Sequence, residues 1–366
     1  MAAGTKTQKV RSSLVINGAL VLICFFWLLP TLGVFITSFR YSQDILTTGW
    51  WTVFPHKEDV QTAEIILDPS VDVNGPFELE GLTTSFEELR QGVTLEDGRK
   101  LTWYGNKRTR KILVSEKRWV GFSSNLTLKN YKDVLTGKEI TFTDAAGNTI
   151  VRKGNNLGSA FLNSIAVAIP ATIIPILIAA FAAFGFAWLN FPGRTLLFTM
   201  VVAILVVPLQ ISLVPILQDY TKLQLNGTFL GIWLAHTGFG LPLATYLLFN
   251  YISTLPRELL EAAYIDGASN FTIFIRLILP LSVPALASFA IFQFLWVWND
   301  YLVALVFLGE KTRVITYALA SIVGEKGQDW HLLTSGAFVS MLLPLAVFFA
   351  LQRYFVRGLL AGSVKG

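Results

Sequence analysis

The sequence predicts an all-α polytopic membrane protein with one mostly β insert that lies outside the membrane. Two observations support this fold class. Of the 366 residues, 53% are hydrophobic and 14% are charged, whereas an ordinary soluble domain has about 25% charged residues. In addition, 31 of the 53 charged residues fall between residues 43 and 156. The composition excludes a soluble enzyme and a disordered chain, and the single cysteine, Cys24, excludes a disulfide scaffold.

Six stretches of the chain lack Asp, Glu, Lys and Arg, and each is long enough to cross a bilayer, which takes about 20 apolar residues in a helix. Within them we place six transmembrane helices, at Leu14–Phe39, Ala160–Leu189, Leu196–Gln218, Phe229–Tyr251, Leu281–Leu302 and Leu333–Tyr354. The first stretch is too long for the apolar region of a cleaved signal peptide and lacks a cleavage site, so we expect an uncleaved signal anchor.

Basic residues near the spans favour a cytoplasmic N-terminus and a cytoplasmic C-terminus. With that orientation nine Lys and Arg residues lie in the inner segments and five in the short outer ones, in agreement with the positive-inside rule. The expected organisation is therefore a cytoplasmic N-terminus and helix 1 in residues 1–40, an outer insert in 41–157, helices 2–6 in 158–355, and a cytoplasmic tail in 356–366.

The insert should fold as short strands joined by tight turns. Four short segments are β-branched or alternate between apolar and polar residues, and they begin at Glu64, Phe77, Lys111 and Ile140. Turn signals such as Asp97-Gly98 separate them, which is typical of β structure.

Six prolines fall in or beside the spans, and each removes a backbone hydrogen bond. They are Pro170, Pro175, Pro208, Pro215, Pro242 and Pro284. Such prolines indicate either hinges beside a substrate path or the ordinary tolerance of proline in membrane helices. The residues alone leave both interpretations open.

The connection between the fourth and fifth spans, residues 253–280, predicts a helix–turn–helix on the cytoplasmic face. Pro256 suits the first turn of a helix, and Gly267 suits the left-handed position that ends it. Ser269 or Asn270 can cap a second short helix, Phe271–Leu279.

The first of these two helices has a small apolar ridge and a charged side. Ala262 and Ala263 form the ridge, and Glu258, Glu261 and Asp266 provide the charges. A helix of this kind fits a groove on a partner protein. It equally fits the membrane interface, so the residues alone do not decide between the two.

This segment resembles the EAA loop of permease subunits of bacterial binding-protein-dependent ABC importers. Glu261-Ala262-Ala263 is followed after three residues by Gly267, and after nine more by Leu277-Ile-Leu279-Pro280. The usual pattern has isoleucine where Leu277 stands.

The chain is also similar to the carbohydrate-uptake, maltose-type branch of that family. The similarity rests on Asn163-Ser164, Trp298-Asn299-Asp300 and the ending from Arg353 to Gly366. The long insert after the first span is similar to that of the alpha-glucoside permeases.

The resemblance implies a six-span permease of the ABC importer type in the bacterial plasma (inner) membrane. It would form half of an alternating-access pathway for an alpha-glucoside or another oligosaccharide. Its implied partners are a second permease subunit, two ATPase subunits, an extracytoplasmic sugar-binding protein, the sugar and membrane lipid, with no nucleic acid.

The resemblance also implies two contacts with the ATPase. The coupling residues would be Glu261, Ala262, Ala263, Asp266 and Gly267. A C-terminal contact would comprise Gly362, Val364, Lys365 and Gly366. The chain contains no G-x-x-x-x-G-K-[ST] phosphate loop. We therefore expect a subunit that is not an enzyme and binds no cofactor, with ATP and magnesium on the partner ATPase.

Sugars are bound by aromatic faces and by amide or carboxylate groups. The candidate substrate-pathway residues are Gln210, Gln293, Trp296, Trp298 and Asn299. Interfacial anchoring of the tryptophans and a structural cap at the helix end are the alternatives. His236 and His331 stand alone in the sequence, and we expect no metal site.

The rival function is an ion-coupled secondary transporter. It would need ionisable groups within the membrane, and Asp300 and His331 lie near the expected outer ends of their spans. A receptor with a membrane anchor is a third class, but six spans exceed what an anchor needs.

Overall fold

In the computed structural model the chain is described over residues 6–123, 125–137, 139–143, 149–154, 156–326 and 329–361. It divides into two compact units, Met1–Thr127 and Leu128–Gly366. The sequence predicts an insert that ends at residue 157. In the structure the division falls at residue 127, and the first apolar helix belongs to the same unit as most of the insert.

The first unit begins with a long apolar helix and continues into a β-rich domain. Its elements are α1 (Lys6–Ser38), α2 (Ser42–Thr47), β1 (His56–Ile66), β2 (Phe77–Leu79), β3 (Leu82–Thr84), α3 (Phe86–Gln91), β4 (Val93–Thr94), β5 (Lys100–Tyr104) and β6 (Lys111–Val120). A 3-10 turn, Trp50–Val53, lies between α2 and β1.

The main sheet of this unit has the strand order β1-β6-β5-β4 and is antiparallel throughout. Alternation along β5 and β6 turns one apolar face inward, as expected for a sheet with one covered face. The core contains Leu101, Trp103, Ile112 and Val114, together with Leu89 of α3. All four segments predicted as β begin inside or just before a strand, so the β-rich insert is confirmed.

Over its described residues, the second unit is helical apart from one hairpin. Its elements are α4 (Lys129–Thr136), β7 (Glu139–Thr143), β8 (Thr149–Lys153), α5 (Leu157–Trp188), α6 (Arg194–Ile204), α7 (Leu209–Lys222), α8 (Phe229–Ile252), α9 (Arg257–Ile265), α10 (Asn270–Ile273), α11 (Leu279–Leu281), α12 (Val283–Asn299), α13 (Leu302–Phe307), α14 (Ile315–Lys326) and α15 (Trp330–Ala361).

Within the described residues, four helices are long and apolar enough to cross a membrane. They are Ser13–Ser38, Leu157–Trp188, Phe229–Ile252 and Trp330–Tyr354. Two further pairs of helices, α6 with α7 and α10–α11 with α12, meet the same test only when each bent pair is taken as one span. The protein is thus a helical polytopic membrane protein with four to six spans.

The segment predicted as the third span, Leu196–Gln218, comprises two helices in the structure, α6 and α7, which meet at 100°. The backbone N–H groups of Leu205 and Val207 each bond to the carbonyl three residues back, which tightens the end of α6. Pro208 has an extended ψ of 126° and directly precedes α7. A proline also disfavours helical geometry at the residue before it, here Val207. Pro170 and Pro175, by contrast, lie within the uninterrupted α5, where ordinary tolerance applies.

The predicted fifth span, Leu281–Leu302, also differs from the structure. The helix α12 ends at Asn299, and the segment Asn270–Leu281 meets it at 72°. The break lies at Ser282, whose ψ is 0°. Pro280 and Pro284 flank this residue and favour a break, because each lacks the N–H that a continuous helix uses.

The helices of the second unit pack around two hydrophobic clusters. Small residues on α5 let its neighbours approach closely, which is how membrane helices generally pack. Ala171, Ala179, Ala180 and Ala183 are completely buried there. The helix α5 packs on α8 and on α12, so these three helices form the centre of the unit.

Candidate functional site

The predicted coupling loop contains a short helix, α9, that begins directly after Pro256. The sequence predicts Pro256 in the first turn of this helix. In the structure Pro256 has φ −60° and ψ 134° and lies just before the helix. Its missing N–H is harmless at this position because the first N–H groups of a helix have no partner inside it.

The end of α9 is closed by a left-handed glycine, as predicted. Gly267 has φ +77°, and its N–H donates to the carbonyl of Tyr264 at 3.0 Å. The N–H of Ala268 donates to the carbonyl of Ala263, also at 3.0 Å. This pair of bonds is the Schellman motif, which satisfies the carbonyls at the end of a helix.

A second helical segment follows, and it is longer than the predicted helix Phe271–Leu279. Ser269 caps it, since its hydroxyl accepts a hydrogen bond from the N–H of Thr272 at 3.2 Å. The segment runs from Asn270 to Leu281 and contains a π-helical turn, Phe274–Ile278. Such a turn accommodates Pro280, whose ring conflicts with the carbonyl four residues earlier in an α-helix.

The helix α9 is held to the protein on one side and open on the other. Leu260 is only 2% exposed and belongs to the second hydrophobic cluster. Glu261, Asp266 and Gly267 are exposed, and the apolar side chain of Ile265 is 86% exposed. Of the remaining predicted coupling residues, Ala262 is exposed and Ala263 is half-buried.

Side-chain hydrogen bonds connect the base of this loop to the long helices. The hydroxyl of Tyr251 at the end of α8 donates to the carbonyl of Leu281 at 3.1 Å. The indole N–H of Trp188 at the end of α5 donates to the carbonyl of Ile252 at 3.2 Å. The end of α8 is thus bonded both to α11 and to the end of α5.

Two of the five candidate substrate residues are buried between helices. Gln293 is 3% exposed and donates its amide N–H to the carbonyl of Ala171 at 3.1 Å. Trp298 is 3% exposed, and its indole N–H donates to the carbonyl of Ser340 at 3.0 Å. Both side chains thus join neighbouring helices.

The other three candidates have surface that a ligand can reach. Gln210 and Asn299 are exposed, although the amide of Asn299 donates to the carbonyl of Leu295 in its own helix. Trp296 is 37% exposed and packs edge-on against His236.

His236 stands alone in the sequence, but in the structure it lies next to an acidic residue. Its side chain is 1% exposed within α8. Its Nε2 lies 3.9 Å from Oδ2 of Asp300. Asp300 also accepts hydrogen bonds from the N–H groups of Val303 and Ala304 and so caps α13. This cap lies at the start of α13, whereas the cap considered from the sequence was at the end of the preceding helix. Sequence distance concealed the pair, because the two residues are 64 positions apart.

The Asn163-Ser164 pair holds the chain that links α13 to α14. The amide of Asn163 donates to the carbonyls of Lys311 and Arg313 at 3.2 and 3.0 Å. The hydroxyl of Ser164 accepts the N–H of Ile315 at 2.8 Å. These side chains fix the start of α14 against α5.

The predicted C-terminal contact, Gly362, Val364, Lys365 and Gly366, lies outside the described residues. Among the residues that are described, no group of three or more His, Cys, Asp or Glu side chains is arranged to hold a metal ion.

Known proteins resemble this chain along almost its whole length. It is 48% identical to the osmoprotective compounds uptake permease protein of Synechocystis sp., over 96% of this chain and 92% of that protein. It is 45% identical to the alpha-glucoside transport system permease protein of Rhizobium meliloti, over 95% and 96% of the two chains.

A solved structure shares the fold. A chain from the crystal structure of a bacterial ABC transporter involved in the import of the acidic polysaccharide alginate aligns with a TM-score of 0.58 at 14% identity, over 97% of this chain and 100% of that one. Residues 175–360 match the family described as binding-protein-dependent transport system inner membrane component. The resemblance inferred from the coupling-loop motif is therefore confirmed, and the chain belongs to this family of ABC importer permeases.

Proposed function

We propose that the protein is the permease subunit of an ATP-driven sugar importer whose substrate is an alpha-glucoside or another short oligosaccharide. The substrate class is supported by the 45% identical relative, which is named for alpha-glucoside transport. Neither the family nor the relatives support the rival ion-coupled transporter.

The chain would work within a larger complex in the bacterial inner membrane. It would supply half of the pathway, next to a second permease subunit, and receive sugar from an extracytoplasmic binding protein. Two ATPase subunits would carry ATP and magnesium, so this chain itself would be neither an enzyme nor a cofactor-binding protein. Both termini would be cytoplasmic, with the insert between residues 41 and 157 outside, helices 2–6 in 158–355 and a tail in 356–366.

The observation that carries this proposal is the geometry of α9. One face is held by Leu260, while Glu261 and Ile265 are exposed on the other. A short helix with an exposed apolar residue beside acidic ones fits a groove on a partner protein. Glu261, Ala262, Ala263, Asp266 and Gly267 would therefore contact the ATPase. The tail residues Gly362, Val364, Lys365 and Gly366 would add a second contact.

For the pathway we propose different roles for the five candidates. Gln210, Trp296 and Asn299 are the candidates for sugar contact, since part of each is open to a ligand. Gln293 and Trp298 would position helices, because their polar groups already bond to neighbouring backbone carbonyls.

An uptake assay tests the proposed function. The complete importer would be expressed in a strain that cannot take up alpha-glucosides, and accumulation of radiolabelled maltose and sucrose would be measured against lactose, a β-galactoside control. We expect uptake of at least one alpha-glucoside that depends on this subunit. Equal accumulation of all three sugars with and without the subunit would contradict the proposal.

A second assay tests the coupling loop. Ile265→Ser removes an apolar group that is 86% exposed, so it should not affect folding, yet it should weaken assembly with the ATPase. Ser253→Ala is a matched control, because that hydroxyl donates only within its own helix end. Co-purification of the ATPase subunits is the measurement, and equal recovery with both variants would argue against α9 as the contact.

A further inference from the structure

An aromatic cluster lies where the first span meets the insert. It consists of Trp50, Trp51, Phe54 and Phe122, and we name it the aromatic collar. The ring of Trp50 contacts those of Trp51 and Phe54 edge-on, with centroids 6.2 and 6.3 Å apart. Phe54 in turn contacts Phe122 at 6.1 Å. The four side chains therefore form one continuous group.

Among the described residues, three members of the collar are exposed, whereas Trp50 is half-buried. Phe122 is 74% exposed, Trp51 61% and Phe54 40%. Nearby Trp119 is 71% exposed as well. Large aromatic side chains gain free energy when they leave water, so an open cluster of this size indicates a surface that meets something apolar.

The position of Trp50 sets the height of the collar along α1. A methyl group added at Gly33 would come within 2.7 Å of Nε1 of Trp50, so the indole lies directly against that glycine. Gly33 is five residues before Ser38, the end of the 26-residue apolar span. At 1.5 Å per residue this places Trp50 about 7.5 Å inside the end of the span.

This height corresponds to the boundary between lipid headgroups and hydrocarbon. A 26-residue helix is about 39 Å long, whereas the hydrocarbon core is about 30 Å thick. The last few residues of the span therefore lie in the interfacial layer, where tryptophan is enriched. Lys57 lies over the ring of Trp119, 5.8 Å from its centre, and offers a positive charge beside the collar.

The insert is joined to the span through a neck, which we define as residues 39–40 and 126–127. Arg40 and Leu126 form an antiparallel bridge, and the N–H of Thr127 donates to the carbonyl of Phe39 at 2.7 Å. The chain segments that enter and leave the insert are thus joined directly above the span. These bonds restrain the base of the insert, which bears the collar, next to the end of the span.

From these observations we propose that the aromatic collar is a lipid-binding surface. Its side chains lie at the boundary between headgroups and hydrocarbon and fix the height of the insert above the bilayer. The occupant is the lipid interface, because the collar is continuous with a span that is itself in lipid. A protein partner covering the same surface is the competing outcome. The proposal does not depend on which sugar the importer carries.

Spin labelling of the full-length chain in lipid nanodiscs tests this proposal. On a Cys24→Ser background, single cysteines at Trp51 and Phe122 would carry nitroxides. Tyr104 is the matched control, since it is an exposed aromatic residue of the same insert. Tyr104 pairs with Lys111 at the start of β6. The other end of β6, Val120, is the end nearer the neck, and at 3.3 Å per residue it lies about 30 Å from Lys111.

For each label we would measure the ratio of its accessibility to oxygen over its accessibility to a water-soluble nickel complex. We expect this ratio to be several-fold higher at positions 51 and 122 than at position 104. Equal access of the nickel complex to all three positions would overturn the proposal. Exclusion of both reagents from 51 and 122 would also overturn it, because a protein partner would then cover the collar.

A second measurement needs no label. Brominated lipids should quench part of the native tryptophan fluorescence, and Trp51→Phe should lower the quenched fraction. Trp103→Phe removes a buried tryptophan of the insert and should not lower it. An unchanged quenched fraction in the Trp51→Phe variant would contradict the proposal independently of labelling.

Discussion

At the residue scale, several side chains in the sequence motifs act as connectors between helices. Asn163 and Ser164 hold the loop before α14, and Trp298 bonds to the backbone of α15. The sequence indicated that these residues matter, through the family resemblance, but not what they contact. Their partners are backbone carbonyls and N–H groups distant in the chain, which leave no mark on local composition.

The carboxamide of Gln293 packs directly against Gly240 of α8, where any side chain would clash with it. A methyl group at Gly240 would lie 2.6 Å from Nε2 and 2.7 Å from Oε1 of Gln293, which is held by Ala171. We predict that Gly240→Ala destabilises the protein by roughly 1–3 kcal/mol, the usual cost of overpacking. Thermal unfolding of the purified protein in detergent is the measurement.

Gly238 on the same helix is the control for that substitution. No atom lies within 4 Å of a methyl group added there, so Gly238→Ala should leave the unfolding temperature unchanged or raise it slightly. Equal unfolding temperatures for the two variants would show that Gln293 is not held in place as described.

Gly267 permits a second test at this scale, because its requirement is conformational. No atom lies within 4 Å of a methyl group added at Gly267, but φ is +77°. This conformation costs most L-residues about 1–2 kcal/mol, and asparagine less. We predict that Gly267→Val impairs substrate-stimulated ATP hydrolysis by the reconstituted importer, whereas Gly267→Asn retains most of it. Equal activity of the two variants would mean that the turn is not needed for coupling.

At the scale of elements, apolar length predicted where helices occur but not where they bend. Leu196–Gln218 contains no Asp, Glu, Lys or Arg, yet it comprises two helices, α6 and α7, that meet at 100°. Proline marked the bend at Pro208, but the same residue type leaves α5 intact at Pro170. The presence of proline alone therefore does not predict a bend. The four predicted β segments fall in β1, β2, β6 and β7, whereas β3, β4, β5 and β8 were not predicted.

Carboxylates at the turns of the insert make its stability depend on pH. The backbone N–H and guanidinium of Arg99 lower the pKa of Asp97 below 3.8. The hydroxyl and N–H of Ser70 lower that of Asp68. A carboxylate with a lowered pKa stabilises the fold above its ordinary pKa, and the effect is lost as the pH falls through the folded value.

We therefore predict that the insert loses stability as the pH falls below about 4. Hydrogen exchange of β4 and β5 in the full-length protein is the measurement. Asp97→Asn should make the acid dependence shallower, since one of the titrating groups is removed. An identical dependence in the variant would show that the hydrogen bonds of Asp97 contribute nothing to folding.

At the scale of the whole molecule, the chain contains separate hydrophobic cores. The insert cluster extends from Leu67 to Val114 in its buried members. The two clusters of the helical unit take their buried members from Val134 onward. Charge distribution along the sequence predicted this separation, because a core in lipid and a core in water need different surfaces. It could not predict that the first span groups with the insert, which depends on contacts such as Trp50 against Gly33.

The separate cores lead to a prediction for a shortened chain. Replacing residues 43–123 with a short Gly-Ser linker removes the insert core but retains Arg40 and Leu126, which pair at the neck. Because no buried member of the helical clusters is removed, the shortened protein should still insert in the membrane and co-purify with the ATPase through α9. Membrane fractionation and co-purification measure the two properties, with Ile265→Ser as the control that inserts but binds the ATPase weakly. Failure of the shortened chain to insert would mean that folding of the helical unit requires the insert, in spite of their separate cores.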